Sequence, residues 1–295
     1  MEEYMVQSDA HPAAEILEDN AGPAVKHVYD DIKTAFRVPI VNLAFRDLAR
    51  YPDYLELAWR QLHPNVQTVY VEEQADAIRA RAVEGVAQLG SAPPLEDESA
   101  RTTLAVFHYV NPKVLLGVAA LRAAAGGQYP KLEELPADAK RQIPTGVPDG
   151  VPPVEMVDPA AEGPTRALLS EIRDATNMLL VNSDYRALAQ WPSYLELAWR
   201  AIEAIRQQAA YRSLERELRL MTESAILVLP FRIDVNPHVM RLCGLDELQI
   251  DDVRSTLERY YRELPSLIAN IAFLTVGALG RDRARESPFP VTLSR

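Results

Sequence analysis

Residues 181–200 read VNSDYRALAQWPSYLELAWR, and residues 41–60 read VNLAFRDLARYPDYLELAWR. Thirteen of the twenty positions are identical at a constant offset of 140. A run of that length repeated within one chain marks an internal duplication, which bears on the whole architecture before any single residue does. Inside the first copy, Leu55, Ala58, Trp59 and Leu62 keep the i, i+3, i+4, i+7 spacing of a helix with one apolar face. Pro52 and Pro192 suit the start of that helix in each copy, where a missing N–H costs nothing.

The likeness continues outward. GPAVKHVYDDI at 22–32 parallels GPTRALLSEIRDA at 163–175, with one gap. ARTTLAVFHYVNPKVLL at 100–116 parallels VRSTLERYYRELPSLI at 253–268, placing Arg101 over Arg254, Leu104 over Leu257 and Pro112 over Pro265. EEQADAIRARAVEGVAQL and LERELRLMTESAILVLP are both rich in strong helix formers. LIANIAFLTVGALG at 267–280 is apolar nearly all round, which suits a buried central helix. No stretch alternates as a strand would. The stretch from Gln128 to Pro164 carries eight of the 22 prolines and reads as an extended connection, because proline breaks helices. The expected fold is all-α: two tandem helical repeats fused as an intramolecular pseudo-dimer. The first repeat covers 1–128, the proline-rich linker 129–162 and the second repeat 163–295.

Composition narrows the function. The chain has 295 residues, 48 % of them apolar, which is enough for a substantial core. Its net charge of −11 speaks against nucleic acid, whose phosphates are bound by lysine and arginine. A small anion remains compatible, since it feels a local pocket field. Cys243 is the only cysteine, so neither a disulfide framework nor a redox pair is available and a helical peroxide-reducing enzyme is disfavoured. The acidic N-terminus lacks a leader pattern, and no run approaches the ~20 apolar residues of a bilayer span. A cytoplasmic protein without a membrane partner is expected. His11, His27, His63, His108 and His238 show no metal-ligand spacing, so no zinc or iron site is expected. Neither a phosphate loop nor a nucleophile elbow is present.

In a duplicated scaffold, shared residues such as Tyr54/Tyr194 and Trp59/Trp199 are explained by packing. The informative positions are those where one copy turns polar. Ser183 and Asp184 replace Leu43 and Ala44, and Asn111 stands where the other copy has Leu264. If the halves face each other, these polar groups meet in one composite pocket. The plain alternative is local: Ser183 or Asp184 caps a helix or turn, and Asn111 before Pro112 marks a turn.

These residues carry a resemblance over nearly the whole length. YDDIKTAFRVP, the paired segments ending in LAWR, YVNPKVLL, the linker, NSDYRALAQWP and the terminal SPFP resemble, in order, the group I 2-haloacid dehalogenases. The resemblance implies two fused helical repeats with an active site between them and no cofactor. It implies that Asp184 activates water for direct attack on the halogen-bearing carbon with inversion, that Asn111 helps to hold that water, and that Ser183 lies beside the substrate. It also implies that the fused chain can form a homodimer. The expected partner is a small 2-substituted carboxylic acid. In the family, the segment after RVP places aromatic side chains around the halide; here Ile40 and Leu43 take those substrate-binding positions as aliphatics. Aromatic edges are partly positive and suit a departing halide, whereas aliphatics offer only shape. That departure keeps a second expectation open: a helical protein that binds a small apolar acid without turning it over, or with a different specificity. Lys113, Arg46 and Arg186 are candidates by charge for holding the acid's carboxylate, and backbone amides at a helix N-terminus or the Ser183 hydroxyl would serve as well; both arginines recur in equivalent places, which favours a structural role for them.

Overall fold

A computed structural model describes residues 15–129 and 135–292, so His11 and the start of the acidic N-terminus lie outside the described residues. The chain runs through α1 (Pro23–Phe36), α2 (Leu43–Leu48), α3 (Pro52–Val66), α4 (Val69–Val86) and α5 (Glu98–Ala125). Beyond the linker come α6 (Arg166–Thr176), α7 (Ser183–Leu188), α8 (Pro192–Arg206), α9 (Ala209–Ile226), α10 (Pro237–Leu242), α11 (Glu247–Leu279) and α12 (Arg281–Arg285). Among the described residues no strand forms; Thr68 and Gln142 make one isolated antiparallel bridge. The all-α class is therefore the class observed.

The two stretches that match at offset 140 fold alike down to individual bonds. α1 ends on Arg37 at φ 62°, and α6 ends on Asn177 at φ 54°. These are the two non-glycine residues in the left-handed region among those described, and both close a helix in the αL cap. Trp59 Nε1 donates to Asp31 Oδ2 at 2.7 Å, and Trp199 Nε1 donates to Glu171 Oε1 at 3.1 Å. Edge-on aromatic pairs, Phe45–Trp59 at 5.9 Å and Tyr185–Trp199 at 5.7 Å, fix α2 on α3 and α7 on α8.

The core lies between α5 and α11, the longest helices, which pack along each other. α4 lies on α9, while α5 also touches α7 and α11 touches α2. Both long helices are apolar and long enough, by length and composition alone, to cross a membrane, which corrects the expectation that no run approaches that length. The most apolar window of α5 is 94 % buried inside the protein and that of α11 67 %, the burial expected of core helices. Pro112 sits inside α5 and removes the bond that its N–H would have made to the His108 carbonyl. Arg79 compensates: its Nε donates to His108 O at 3.0 Å and its Nη2 to Tyr109 O at 3.4 Å.

The linker is tied down at several points. Val69 N–H donates to Arg141 O and Ile143 N–H to Gln67 O, both at 2.8 Å. Further on, Val157 N–H donates to Arg186 O at 3.0 Å. The linker thereby carries Met156 and Val157 onto α7.

Candidate functional site

α7 begins at Ser183 directly after Asn182, and all six of its residues are buried. Asp184 is its second residue and is 1 % exposed. Neither Ser183 nor Asp184 caps the helix: Asn182 is the N-cap and makes no side-chain bond there. Asn111 is not in a turn either. It lies within α5, fully buried, one residue before the helix-interior proline. The local explanations for these residues thus give way to a tertiary one.

Because α5 packs on α7, Asn111 Nδ2 donates to Asp184 Oδ1 at 2.6 Å. The remaining polar atom of each group, Asp184 Oδ2 and Asn111 Oδ1, is buried and has no partner. Buried acceptors without donors are uncommon, and two from residues already bonded to each other define a polar spot inside an apolar core. Burial raises the Asp184 carboxyl from its ordinary value to about 7; the Asn111 hydrogen bond and, less strongly, the residue's own backbone N–H oppose that shift but do not overcome it. Half-ionised near neutrality, Asp184 has the proton affinity expected of a general base. Among the further buried polar atoms without partners in the second half are Asn182 Nδ2 and Glu263 Oε1. Burial likewise pushes Glu263 up to about 8, with the charge of Asp184 adding to the shift.

Ser183 joins this site through an arginine of the first half. Arg46 Nη2 donates to Ser183 Oγ at 2.9 Å, and Arg46 Nη1 donates to the Val41 carbonyl. The segment that holds Ile40 and Leu43 is therefore linked to Ser183 by Arg46. Ile40 and Leu43 themselves are 3 % and 2 % exposed and packed in the shared core. Lys113 is not a free cation: it pairs with Glu72 and donates to Tyr109 Oη at 2.6 Å, fully buried, with its pKa lowered by burial to about 8. His108 is held neutral by burial, lowered to about 3, against the Ala284 carbonyl at 2.8 Å. Among the described residues no His, Cys, Asp and Glu cluster could hold a metal ion.

Sequence reasoning missed Glu15. Its carboxylate bridges Arg46 Nε, at 2.7 Å, and Arg186 Nη1. The only available signal was the recurrence of a buried arginine in both copies, which had suggested packing. Beside this bridge a cavity of about 580 Å³ is lined by Glu15, Met156, Arg166, Arg173, Val181 and Arg186, among others.

The family profile described as "Halocarboxylic acid dehydrogenase DehI" matches residues 39–140, the span that includes Asn111. A protein of Pseudomonas sp. (strain 113) described as "2-haloacid dehalogenase, configuration-inverting" is 35 % identical over 210 residues, 66 % of this chain and 65 % of that protein. The chain is thus similar, over part or most of its length, to configuration-inverting 2-haloacid dehalogenases. A second relative with the same description, from Alcaligenes xylosoxydans xylosoxydans, is 29 % identical and aligns over 90 % of this chain and 94 % of its own. The family fold recurs in the solved "complex structure of D-2-haloacid dehalogenase mutant with D-2-CPA", with a TM-score of 0.85, 25 % identity and coverage of 90 % and 96 % of the two chains.

Proposed function

We propose that this protein is a cofactor-independent hydrolase that dehalogenates 2-haloalkanoic acids by direct attack of water, with inversion at the 2-carbon. One observation carries the reading. Asp184 Oδ2 and Asn111 Oδ1 are buried acceptors without donors, on two side chains already bonded to each other at 2.6 Å. A single water has two hydrogens to give them. Held by both, it turns its lone pair away from the two acceptors and toward a carbon placed opposite. As its oxygen bonds to C2, the carbon–halogen bond breaks, halide leaves with its electron pair and Asp184 takes the proton. The fixed geometry supplies the orientation that free water lacks. The relatives described as configuration-inverting support this route, since one displacement inverts and two would retain.

The same reading treats the chain as a pseudo-dimer, with 1–128 and 163–295 as the two units and 129–162 as the strap between them. Its support is reciprocal contact: α5 lies on α11 and α4 on α9, while α5 reaches α7 and α11 reaches α2. Equivalent elements meet about one axis, as in an isologous interface. In the same reading Ile40 and Leu43, buried aliphatics of the core, take the place of aromatics beside the substrate, which favours an acid bulkier than 2-chloropropionate.

The test is halide release from racemic 2-chloro- and 2-bromopropionate, with Asp184→Asn as control. Release by the unaltered protein alone, with solvent oxygen entering the product in a single turnover in labelled water, is the expected result. Label appearing first in the protein carboxylate would replace direct attack with an ester route.

A further inference from the structure

Arg46 on α2 and Arg186 on α7 occupy the same place in the two copies, 140 residues apart, and both are buried. Between them lies a carboxylate from the chain itself. Glu15 gives Oε2 to Arg46 Nε at 2.7 Å and Oε1 to Arg186 Nη1. Guanidinium forks match carboxylates in shape as well as charge, so this is a carboxylate-binding arrangement whatever molecule supplies the anion. Its inner side touches the proposed reacting centre, because Arg46 Nη2 donates to Ser183 Oγ at 2.9 Å, next to Asp184. Its outer side opens on the 580 Å³ cavity, where Arg166 and Arg173 stand with Arg186, and where Asp158 is the carboxylate besides Glu15. Met156, 3.9 Å from Arg46 Nη2 through its sulfur, lies on that same wall. Arg46, itself buried, thus links Glu15 on the cavity wall to Ser183, the neighbour of Asp184.

We infer that Arg46 and Arg186 form the subsite for the substrate carboxylate, and that Glu15 occupies it as an internal competitor which the incoming acid displaces. The inference rests on Ser183 and Asp184 being the reacting centre. An acid whose carboxylate replaces Glu15 on Arg46 lies against the same guanidinium that holds Ser183 Oγ, the neighbour of Asp184. Displacement exchanges one carboxylate for another on the same two guanidiniums, so the burial cost of the arginines is not incurred again. The apparent affinity is set by the fraction of protein in which Glu15 has left.

The experiment is a calorimetric titration with propionate, which has no leaving group, alongside KM for 2-chloropropionate, in Glu15→Gln and Arg46→Lys. Glu15→Gln keeps the shape and removes the competing charge. It tightens propionate and lowers KM by about tenfold, as expected if roughly a tenth of the native protein is unplugged. Arg46→Lys keeps the charge and loses the fork, and it weakens both. A purely structural Glu15 predicts the reverse for Glu15→Gln: a lower melting temperature with unchanged or weaker propionate binding. That result overturns the inference, as does Arg46→Lys binding propionate like the unaltered protein. If no variant releases halide, the dehalogenase reading fails while the propionate titration still decides the subsite. If halide is released and Glu15→Gln fails to tighten propionate, the subsite alone falls.

Discussion

At the start of α2, Asn42 turns its side chain back and accepts from the Ala44 N–H at 3.0 Å. At the start of α7, Asn182 stands at the same place and makes no such bond, and its Nδ2 is buried without a partner. Two residues further on, Ala44 is an apolar part of the core, while Asp184 is a carboxylate with one bonded and one orphaned oxygen. The two helices share a backbone, an aromatic support and an arginine. They differ in that one satisfies its polar atoms locally and the other leaves them for something else. In a marginally stable protein such orphans are a cost, and two of them on side chains already bonded to each other, Asp184 and Asn111, point to a site rather than to poor packing.

The sharpest way to break the comparison is Asp184→Asn. Loss of a general base removes roughly 10²–10⁴-fold in turnover, and the fold survives because the substitution keeps the side chain's shape. Stability moves the other way. The folded carboxyl is raised to about 7, above its unfolded value, so between about pH 4 and 7 the native state holds a proton that the unfolded state has lost. Asp184 therefore weakens the native state progressively as pH rises through that window, and fully above it. Asp184→Asn is expected to melt higher than the unaltered protein at pH 8, by a few kcal/mol at most, with the gap closing near pH 4. Activity rises with pH over the same window and levels above about 7, because only the ionised form accepts a proton. Thermal melts and initial rates across that range test both directions.

The converse experiment loads the silent copy. Ala44→Asp puts a carboxylate into a 0 % exposed position of the copy that carries Leu264 where the other carries Asn111. An unpartnered buried charge costs about 3–5 kcal/mol, so denaturant unfolding should show a large loss and no second activity. Pairing it with Leu264→Asn should recover part of that loss, as Asn111 does for Asp184. Asn111→Ala, next in size, keeps the proposed base and removes the other proposed water acceptor. Turnover should fall by about 10- to 100-fold, the scale of a lost orienting contact, with little change in KM.

How much of this was legible in the residues depends on distance along the chain. The helices were legible because their apolar spacing and caps are local, and the duplication was legible because offset identity needs no structure. Asp184 and Asn111 stood out as differences between copies, yet their local readings were wrong. Asn111 looked like a turn residue because it precedes a proline, whereas α5 runs through that proline with Arg79 taking up the freed His108 carbonyl. Nothing in the sequence tied Glu15 to two arginines that lie 31 and 171 positions away. Nor did it reveal that Lys113 is spent on Glu72 and Tyr109. Pairings between distant charges follow from packing, and composition carries no trace of them.

The smallest expected effect is the most direct comparison of the two copies, since it changes one residue type at equivalent positions. Asn42 accepts a backbone N–H in the first turn of α2, so Asn42→Ala removes a cap and should cost about 1 kcal/mol. Asn182 makes no cap bond and already has an orphaned donor, so Asn182→Ala gives up no such bond and relieves a buried amide. Its melting temperature should be unchanged or slightly higher. Equal losses at both positions would mean that Asn182 caps α7 in solution, and the division between a satisfied and an unsatisfied copy would then rest on Asp184 and Asn111 alone. Unequal losses would place Asn182 with them, as a third buried polar group left unpaired.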